Sequence, residues 1–536
     1  MNNVTSVTDR KGQTTSYQYD HLHHPSVTTY HRGTTSTTYT FDAGNRLTQV
    51  NGSVSGQITR TYNGLNQVTN ETTPQGSVTY TYDNASRRTS MTVQGQSAVN
   101  CTYDNANRLT QIAKGSDTVT IAYDDADRRT SVTYPNANSI TYAYNTASEL
   151  TSLTYKQGAT TLGDLTYMYD AASNRIKTGG TFAHTNVPPT LASASYNANN
   201  QQTAFGAATE TYDLNGNLAT FTDASGTTTY TWNARNQLTG ISKTGFTASF
   251  TCDSFGRRTG KTINGTITNF VYDGLNPVQE KNGGTVTANL LTGLGIDEFF
   301  TRTDAVGSHS LLPDALGSTA ALGDNAGTLQ TQYTYEPFGV VSQTGPASTS
   351  SYKYTGREDD GTGLMYYRAR YYQPRLQRFI AEDPIGVRGG DVNLYVYVRN
   401  MPSSLIDPLG LRPLTEREKR CLAPYIPQVD LDAADLHEDE VPWWLLPGYR
   451  GITLGNDIYF RPGVYDSSTS GGIALLGHEL YHVDQYRRGA TRFDFLIQGL
   501  LHGHDESPLE IPAIELEERI QKDLRGRRNT TCECRQ

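Results

Sequence analysis

A short two-residue motif recurs along the first half of the chain at a nearly fixed interval. It is an aromatic residue followed by Asp or Asn, and successive copies are mostly 20 or 21 residues apart. The copies are Tyr19-Asp20, Phe41-Asp42, Tyr62-Asn63, Tyr82-Asp83, Tyr103-Asp104, Tyr123-Asp124, Tyr144-Asn145, Tyr169-Asp170, Tyr196-Asn197, Tyr212-Asp213, Trp232-Asn233 and Tyr272-Asp273, with Cys252-Asp253 in the place of one aromatic copy. Repeats of this length bury their apolar face only against their neighbours. The motif therefore predicts a repeat structure over residues 1–290.

The residues around each copy have the pattern of a β-hairpin. Side chains alternate with a period of two before the motif, as in Thr79-Tyr80-Thr81-Tyr82, and a turn follows, as in Asp42-Ala43-Gly44-Asn45. After the turn comes Arg-Leu-Thr or a close variant, as at Arg46-Leu47-Thr48. We expect the Asp or Asn to accept hydrogen bonds from backbone amides of the turn, and the aromatic ring to pack against the next unit. These pairs are therefore assigned a structural role and no chemistry.

The composition favours a β-rich chain and argues against nucleic acid and membrane partners. Charged residues make up 18% of the 536 residues, whereas the chain has 50 Gly and 35 Tyr, which favours strands and turns over helices. The net charge is -9 and Lys and Arg form no long run, so we expect no nucleic acid partner. The chain lacks both a long apolar run and a recognisable signal peptide. We therefore expect no transmembrane segment, and export by a route other than Sec.

The repeat unit, Tyr-Asp-x-x-Gly-Arg-Leu in idealised form, resembles the YD repeats of RHS and teneurin-type proteins. In that family the repeats form one continuous antiparallel sheet that winds into a shell. The resemblance therefore implies a mainly β fold with at least a partial shell. The series is short for a closed shell, so we expect the shell to be partial.

Residues 291–411 contain a second set of ordered motifs. They include Asp314-Ala315-Leu316-Gly317-Ser318, Tyr333-Thr334-Tyr335-Glu336-Pro337-Phe338-Gly339, Tyr354-Thr355-Gly356-Arg357-Glu358, Asp383-Pro384-Ile385-Gly386 and the terminal Asp407-Pro408-Leu409-Gly410-Leu411. This block resembles the RHS repeat-associated core that ends such shells. We call residues 407–411 the seam, because the sequence pattern of the repeats and the core block stops there.

The resemblance implies that the core cuts its own chain after the last residue of the seam. The scissile bond would be Leu411–Arg412, and two nearby carboxylates would share a proton, so that one activates water and the other protonates the leaving group. Asp383 is the first candidate by motif and Asp391 the second, and Arg378 would orient the pair. The alternative is that the seam is only a type I turn, since it has Asp, Pro and Gly at the favoured positions.

Residues 412–536 carry one catalytic motif, His478-Glu479-x-x-His482, preceded by an apolar segment. Two histidines four residues apart project from one face of a helix and can bind the same Zn²⁺. Glu479 beside them is the residue type that takes a proton from water attacking a carbonyl. The alternative is a pair of packed histidines on an amphipathic helix. Before this helix, Gly455-Asn456 predicts the turn of a hairpin.

The third zinc ligand is less closely defined by the sequence. The segment Glu510-x-x-Ala513 resembles the ligand-bearing second helix of gluzincin-type peptidases. This resemblance implies Glu510 as the first choice and Glu515 as the second. Alternatively, Glu510 belongs to a helix capping box with Ser507, and His502 and His504 remain possible ligands.

The C-terminal residues 412–536 resemble the small DUF4157-related zinc metallopeptidase domains that are attached to bacterial polymorphic toxins. The resemblance implies a small α+β zincin-like domain. It also implies an RHS-family toxin, made in the bacterial cytoplasm and delivered to a target cell, whose repeats encase or deliver a Zn²⁺-dependent peptidase with a protein substrate. A cognate immunity protein and secretion machinery would be its partners. Two alternatives stay open: a peptidase that processes its own or partner proteins without toxicity, and a carbohydrate-binding surface scaffold with a silent C-terminal domain.

Overall fold

We describe the protein from a computed structural model. The residues that the structure describes are 3–410 except 34, 172, 173, 185 and 390, together with 418, 421, 422, 425, 426, 431, 434–437, 450–454, 457–460, 464, 465, 469–487 and 509–526.

Most of the described chain forms two long antiparallel sheets, in which each strand pairs with the next one along the chain. The 17 strands of the first sheet are β1 Ser6–Thr8, β2 Thr14–Tyr19, β3 Pro25–Tyr30, β4 Thr35–Phe41, β5 Leu47–Gly52, β6 Gly56–Tyr62, β7 Val68–Thr73, β8 Gly76–Tyr82, β9 Arg88–Val93, β10 Val99–Tyr103, β11 Leu109–Lys114, β12 Asp117–Tyr123, β13 Arg129–Thr133, β14 Asn138–Tyr144, β15 Leu150–Gln157, β16 Thr160–Tyr169 and β17 Arg175–Gly179. The 16 strands of the second sheet are β18 Ala194–Tyr196, β19 Gln202–Phe205, β20 Ala208–Tyr212, β21 Leu218–Asp223, β22 Gly226–Trp232, β23 Leu238–Lys243, β24 Phe246–Cys252, β25 Arg258–Ile263, β26 Thr266–Asp273, β27 Asn276–Asn282, β28 Thr285–Thr292, β29 Phe299–Asp304, β30 Ser308–Pro313, β31 Thr319–Gly323, β32 Leu329–Tyr335 and β33 Val341–Thr344. The predicted domain boundary near residue 290 thus falls within the second sheet.

The Asp of each repeat organises the turn that follows it. In the unit at Asp104, its Oδ1 accepts hydrogen bonds from the backbone N–H groups of Ala106 and Arg108, both at 2.9 Å. Asn107 between them adopts a left-handed conformation with a φ of 64°, which Asn tolerates better than most residues. The predicted structural role of the aromatic–Asp motif is therefore confirmed.

In several units, an Arg after the turn links the unit to the next one. Arg108 Nε donates to Asp104 Oδ2 at 2.7 Å, and its Nη1 donates to Asp127 Oδ1 in the following turn at 2.8 Å. Its guanidinium also lies over the ring of Tyr123, 5.0 Å from the centroid, where a cation is attracted to the π face. The same bonding to both turns recurs at Arg46 and Arg87. One planar side chain therefore sets the spacing between successive units.

The two faces of the first sheet differ in exposure, as the two-residue alternation predicts. In β12, Val119 and Ile121 are buried, whereas Thr120 and Ala122 are exposed. The buried side chains belong to a cluster that also includes Phe300 and other residues of the second sheet. The prediction of a mainly β structure with an open, shell-like sheet is confirmed.

The hairpin turns of the first sheet contact the second sheet. Gln75, in the turn between β7 and β8, accepts a hydrogen bond from Lys281 Nζ at 2.7 Å. Asn138 Nδ2 donates to the carbonyl of Gly327 at 2.8 Å. Arg257 forms an ion pair with Glu71 at 2.8 Å in which both side chains are buried. The second sheet therefore packs against the first.

A small four-stranded sheet closes the core block. Its strands are β34 Glu358–Asp359, β35 Met365–Tyr367, β36 Arg370–Gln373 and β37 Arg378–Phe379. The fully buried Arg258 of the second sheet pairs with Glu358 and Asp360 next to this small sheet. These ion pairs hold the core block, which carries the seam, against the second sheet.

The described part of the C-terminal region contains three short strands and two helices. The strands are β38 Asp435–His437, β39 Gly451–Leu454 and β40 Asp457–Phe460, in the order β38-β40-β39, and the helices are α1 Ser470–Arg487 and α2 Ile511–Gly526. The antiparallel pairing of β39 with β40 fits the predicted hairpin, whose turn lies outside the described residues. Among the described residues, no helix is both long enough and apolar enough to span a membrane.

Candidate functional site

The His478-Glu479-x-x-His482 motif lies in the middle of α1, as predicted. All three motif side chains are buried, and the helix also buries apolar residues such as Ile473, Leu476 and Leu480. Gly477 allows α2 to pack closely, because a Cβ at this position would lie 2.3 Å from Ile520 Cδ1. The helix α2 is thereby held close to α1, which carries the motif.

Glu510, immediately before α2, joins the two histidines. Its Oε2 lies 3.3 Å from His478 Nε2 and 3.2 Å from His482 Nε2, and the two Nε2 atoms are 3.1 Å apart. Three ligands in a tetrahedral zinc site, each about 2.05 Å from the ion, are separated from one another by about 3.3 Å. The three atoms therefore have the spacing of three corners of a zinc tetrahedron, and they fit the ion that the motif implies.

The partners of the histidines favour the tautomer that a metal requires. Gln485 Nε2 donates to the carbonyl of Leu509 at 2.9 Å, so its Oε1 faces His482 Nδ1 at 2.8 Å and accepts from it. His478 Nδ1 lies 3.4 Å from Glu517 Oε2, a group that can only accept when ionised. With Nδ1 bonded in this way, each imidazole turns its Nε2 toward Glu510. In the absence of an ion Nε2 can carry a proton and donate to that carboxylate, and a bound ion would replace this proton.

The carboxylate and imidazole groups have shifted protonation equilibria. Burial acts to raise the pKa of Glu510, but hydrogen bonds from His478 and His482 outweigh it and lower that pKa. Burial acts to lower the pKa of His482, but the hydrogen bond and negative charge of Glu510 raise it. These shifts mean that the cluster favours a negative Glu510 beside positive charge.

Glu479 lies next to the cluster of His478, His482 and Glu510. It contacts strand β39 at the edge of the three-stranded sheet. Thr453 of β39 donates its hydroxyl to Glu479 Oε2 at 2.8 Å. Gly451 in the same strand leaves room for the carboxylate, because a Cβ there would lie 2.9 Å from Glu479 Oε1. Burial raises the pKa of Glu479, although the neighbouring histidines oppose this. A carboxylate with a raised pKa is suited to take up a proton.

Of the other predicted ligands, the structure describes only Glu515. Glu515 is exposed on α2, whereas His502 and His504 lie outside the described residues. Among the described residues, His478, His482 and Glu510 are the group that could hold a metal. Sequence reasoning missed the supporting residues Thr453, Gln485 and Glu517. Only Gln485 had a local signal, since it lies one helical turn after His482.

Around the seam, the structure places Asp383 with two residues that were not predicted. Arg370 Nη2 lies 3.0 Å from Asp383 Oδ2 and 3.4 Å from Asp407 Oδ2, and all three side chains are buried. Arg370 Nε also donates to the carbonyl of Gly410 at 2.6 Å. The guanidinium offsets the repulsion between the two carboxylates. The arrangement thus places two acid groups beside the last described residue of the seam.

The predicted partners of Asp383 have other contacts in the described part of the chain. Arg378 donates to the carbonyl of Asn200 at 2.6 Å and lies over the ring of Tyr395. Asp391 Oδ1 accepts from the backbone N–H of Asn393 at 2.8 Å, as in a turn. The structure therefore brings Arg370 and Asp407 to Asp383 in place of Arg378 and Asp391. The predicted cleavage site, Leu411 and Arg412, lies outside the described residues.

Several known proteins are similar to parts of this chain. The toxin subunit YenC1 of Yersinia entomophaga is 42% identical over 103 residues, which are 18% of this chain and 10% of that protein. The double-stranded DNA deaminase toxin A of Burkholderia cenocepacia (strain H111) is 29% identical over 223 residues, which are 35% of this chain and 14% of that protein. The chain thus spans only a small part of these relatives.

The arrangement of strands is similar to that of a solved toxin structure. The crystal structure of TcdB2-TccC3 matches with a TM-score of 0.55 and 18% identity, over 76% of this chain and 28% of that chain. At this identity, the likeness concerns the fold alone.

Three family models match the chain. The RHS Repeat model matches residues 2–35 and 62–97, and the eCIS core domain model matches residues 428–490, which include the histidine motif but not Glu510. The Teneurin YD-shell model matches residues 121–400, just over half of the chain. The predicted resemblance to RHS and teneurin-type YD-repeat proteins is confirmed, and the chain belongs to the Teneurin YD-shell family.

Proposed function

We propose that the chain is a toxin-type carrier whose C-terminal region is a zinc-dependent peptidase. The observation that carries this proposal is the triangle of His478 Nε2, His482 Nε2 and Glu510 Oε2, whose sides of 3.1 to 3.3 Å match a tetrahedral zinc site. The buried Glu479 beside it supplies the acid–base group that peptide hydrolysis requires.

Each residue of the site has a defined task in this proposal. His478, His482 and Glu510 would hold Zn²⁺, which when bound polarises a carbonyl group and makes water more acidic. Glu479 Oε1 and Oε2 accept a proton from the attacking water and pass it to the leaving amine. Thr453 holds the Glu479 carboxylate by donating to Oε2 at 2.8 Å, and Gln485 and Glu517 keep the imidazoles oriented.

The experiment is metal analysis combined with a peptidase assay on the purified full chain. We expect close to one Zn²⁺ per chain and hydrolysis of an unfolded protein substrate. Glu479→Gln should keep the zinc and lose the hydrolysis. Absence of zinc after reconstitution would contradict the proposal, as would equal hydrolysis by wild type and Glu479→Gln.

A second candidate activity is self-cleavage of the Leu411–Arg412 bond. It is favoured by the contact of both Asp383 and Asp407 with Arg370, whose Nε also binds the Gly410 carbonyl. One carboxylate would take a proton from water as it attacks the Leu411 carbonyl, and the other would protonate the Arg412 nitrogen as the C–N bond breaks. Intact mass spectrometry of the expressed chain tests this: two fragments divided after residue 411 are expected, and a single uncut species would contradict it.

Delivery to a target cell follows from the similarity to proteins named as toxins and toxin subunits. On this proposal the chain is made in a bacterium, acts on a protein substrate after delivery, and has a secretion apparatus and an immunity protein as partners. Expression of the wild type and of Glu479→Gln inside bacteria tests the toxic activity. We expect growth arrest only with the wild type, and equal growth of both strains would contradict it.

A further inference from the structure

A second group of arginines binds the backbone of the seam. Arg357 and Arg368 both bind Asp297, and both donate to the carbonyl of Pro408. Arg368 forms a two-pronged contact with Asp297, through Nη2 at 2.7 Å and Nη1 at 3.1 Å. We call Asp297, Arg357 and Arg368 the seam clamp. A bidentate arginine fixes direction as well as distance.

The clamp completes a continuous set of bonds to the seam backbone. Pro408 O is held by the clamp, Leu409 O accepts from the backbone N–H of Ala369 at 3.1 Å, and Gly410 O accepts from Arg370 Nε at 2.6 Å. Each of the three carbonyls before Leu411 is therefore bound, and the three consecutive residues 368–370 contribute to all of these contacts. This leaves little freedom for the backbone that enters the scissile bond.

The backbone around the clamp is held in sparsely populated conformations. Asp297, Thr355 and Arg368 have φ values of 61°, 47° and 56°, all in the left-handed region. Gly410 also has a positive φ, and a Cβ on it would lie 2.4 Å from the carbonyl oxygen of Tyr367. For residues other than glycine such conformations are unfavourable, and they cluster at sites where geometry is part of a mechanism.

The clamp is also buried. The side chains of Arg357, Asp297 and Arg368 are 3%, 10% and 11% exposed. Burial and the neighbouring Arg368 lower the pKa of Arg357 to about 9, so it still carries its charge at neutral pH. Two buried guanidinium groups on one carboxylate are costly to maintain, whereas a simple turn would need neither.

We propose that Arg357 and Arg368, held by Asp297, are positioning residues that fix the seam so that the Leu411–Arg412 bond is presented to Asp383 and Asp407. This inference rests on the self-cleavage candidate of the proposed function. Within the described part of the seam, the clamp binds the Pro408 carbonyl, so its proposed effect is on the geometry of attack. A misplacement of about 1 Å can lower a rate about 100-fold.

The test is the rate of self-cleavage of the full chain in freshly translated samples. Arg368→Ala should slow cleavage roughly 10- to 100-fold, and Arg368→Lys should recover part of the rate because it keeps the charge and one donor. Asp297→Asn, a milder change, should also slow cleavage. Arg375→Ala is the matched control, since Arg375 is exposed in the same block and should leave the rate unchanged. Melting temperatures verify that each variant is folded.

A second measurement separates failure of the clamp from failure of self-cleavage. Amide hydrogen exchange of residues 405–410 is compared in Asp383→Asn and in Asp383→Asn/Arg368→Ala, neither of which is expected to cut itself. Faster exchange of the seam in the double variant supports the clamp, even if the wild-type chain proves to be uncut. Unchanged exchange overturns it, as does cleavage of Arg368→Ala at the wild-type rate.

Discussion

Asp383 and Asp407 place their Oδ2 atoms on the same nitrogen of Arg370, at 3.0 and 3.4 Å. Asp383 follows β37, whereas Asp407 is the first residue of the seam, so the arginine connects a fixed part of the core block to the proposed substrate. A guanidinium shared by two carboxylates holds them close together and offsets their mutual repulsion. This relationship makes Asp407 a candidate participant in the cleavage of its own segment.

Asp407→Asn should block self-cleavage as completely as Asp383→Asn. Either change removes one of the two acid groups, and loss of a general acid or base typically costs about 10²- to 10⁴-fold in rate. Asp391→Asn is the control, because Asp391 binds a turn amide. The fraction of cut chain is measured over time by intact mass spectrometry. If Asp391→Asn stops cleavage and Asp407→Asn does not, the sequence-based assignment of Asp391 is right and the assignment of Asp407 is wrong.

Glu510→Gln should remove most of the bound zinc, and Glu515→Gln should not. Only Glu510 has an oxygen within 3.3 Å of both histidine Nε2 atoms, whereas Glu515 is exposed. An amide oxygen is a poorer zinc ligand than a carboxylate. Zinc content after dialysis, measured by plasma mass spectrometry, tests this pair. Equal zinc in both variants would remove Glu510 from the ligand set.

Glu517→Gln should weaken zinc binding by about 10- to 100-fold without abolishing it. Glu517 lies 3.4 Å from His478 Nδ1 and is itself held by Arg450 at 2.7 and 2.8 Å. In the wild type, the negative charge of Glu517 orients the imidazole and makes it more basic. The change removes this charge. Competition with a fluorescent zinc chelator gives the affinity. The exposed neighbour Glu518, changed to Gln, provides the reference, and an equal affinity in the two variants would contradict the role of Glu517.

Glu210→Gln should stabilise the fold at pH 8 and have little effect below pH 4.5. Burial raises the pKa of Glu210 from 4.5 to about 7, although a hydrogen bond from Tyr212 opposes it. The folded chain therefore holds a proton that the unfolded chain releases between pH 4.5 and 7, and stability is lost as pH rises through this window. The gain at pH 8 is on the order of 2 kcal/mol, and melting curves at both pH values measure it.

The opposite pH dependence is expected for Glu71→Gln, which serves as the control. Burial acts to raise the pKa of Glu71, but the charges of Arg257 and Arg60 outweigh it and lower that pKa. Its ionised form thus stabilises the fold above pH 4.5, and this contribution is lost as pH falls. Glu71→Gln should therefore destabilise the fold at pH 8. If both variants melt like wild type at every pH, burial does not shift these carboxyl groups as inferred.

The repeat wall and the histidine motif could be predicted from the sequence because their geometry is local. Asp104 reaches amides two and four residues away, and His478 and His482 are neighbours on any helix. The period of the aromatic–Asp motif and the spacing of the histidines therefore carry the structural information directly.

The composition of the seam site could not be predicted in the same way. Asp407 approaches Arg370 because the chain folds back across the core block. No periodic pattern in the sequence indicates this contact. Asp391 precedes the motif Asn393-Leu394-Tyr395 and Arg378 belongs to the motif Arg378-Phe379, and the order of motifs along the chain does not indicate which side chains meet Asp383. Thr453 of β39 likewise reaches Glu479 of α1. Contacts between distant segments depend on packing, which a single sequence does not display.

The contacts between the two sheets also constrain how the protein is made. Gln75 and Lys281 are 206 residues apart, and Asn138 and Gly327 are 189 apart. Hairpins can form early from neighbouring residues, but these contacts must wait until the second half of the chain exists. During synthesis, the residues of the first sheet that contact the second sheet therefore stay exposed until the second sheet has been made. In this period, mispairing with other chains competes with correct assembly. Slowing translation after residue 180 should prolong this vulnerable interval.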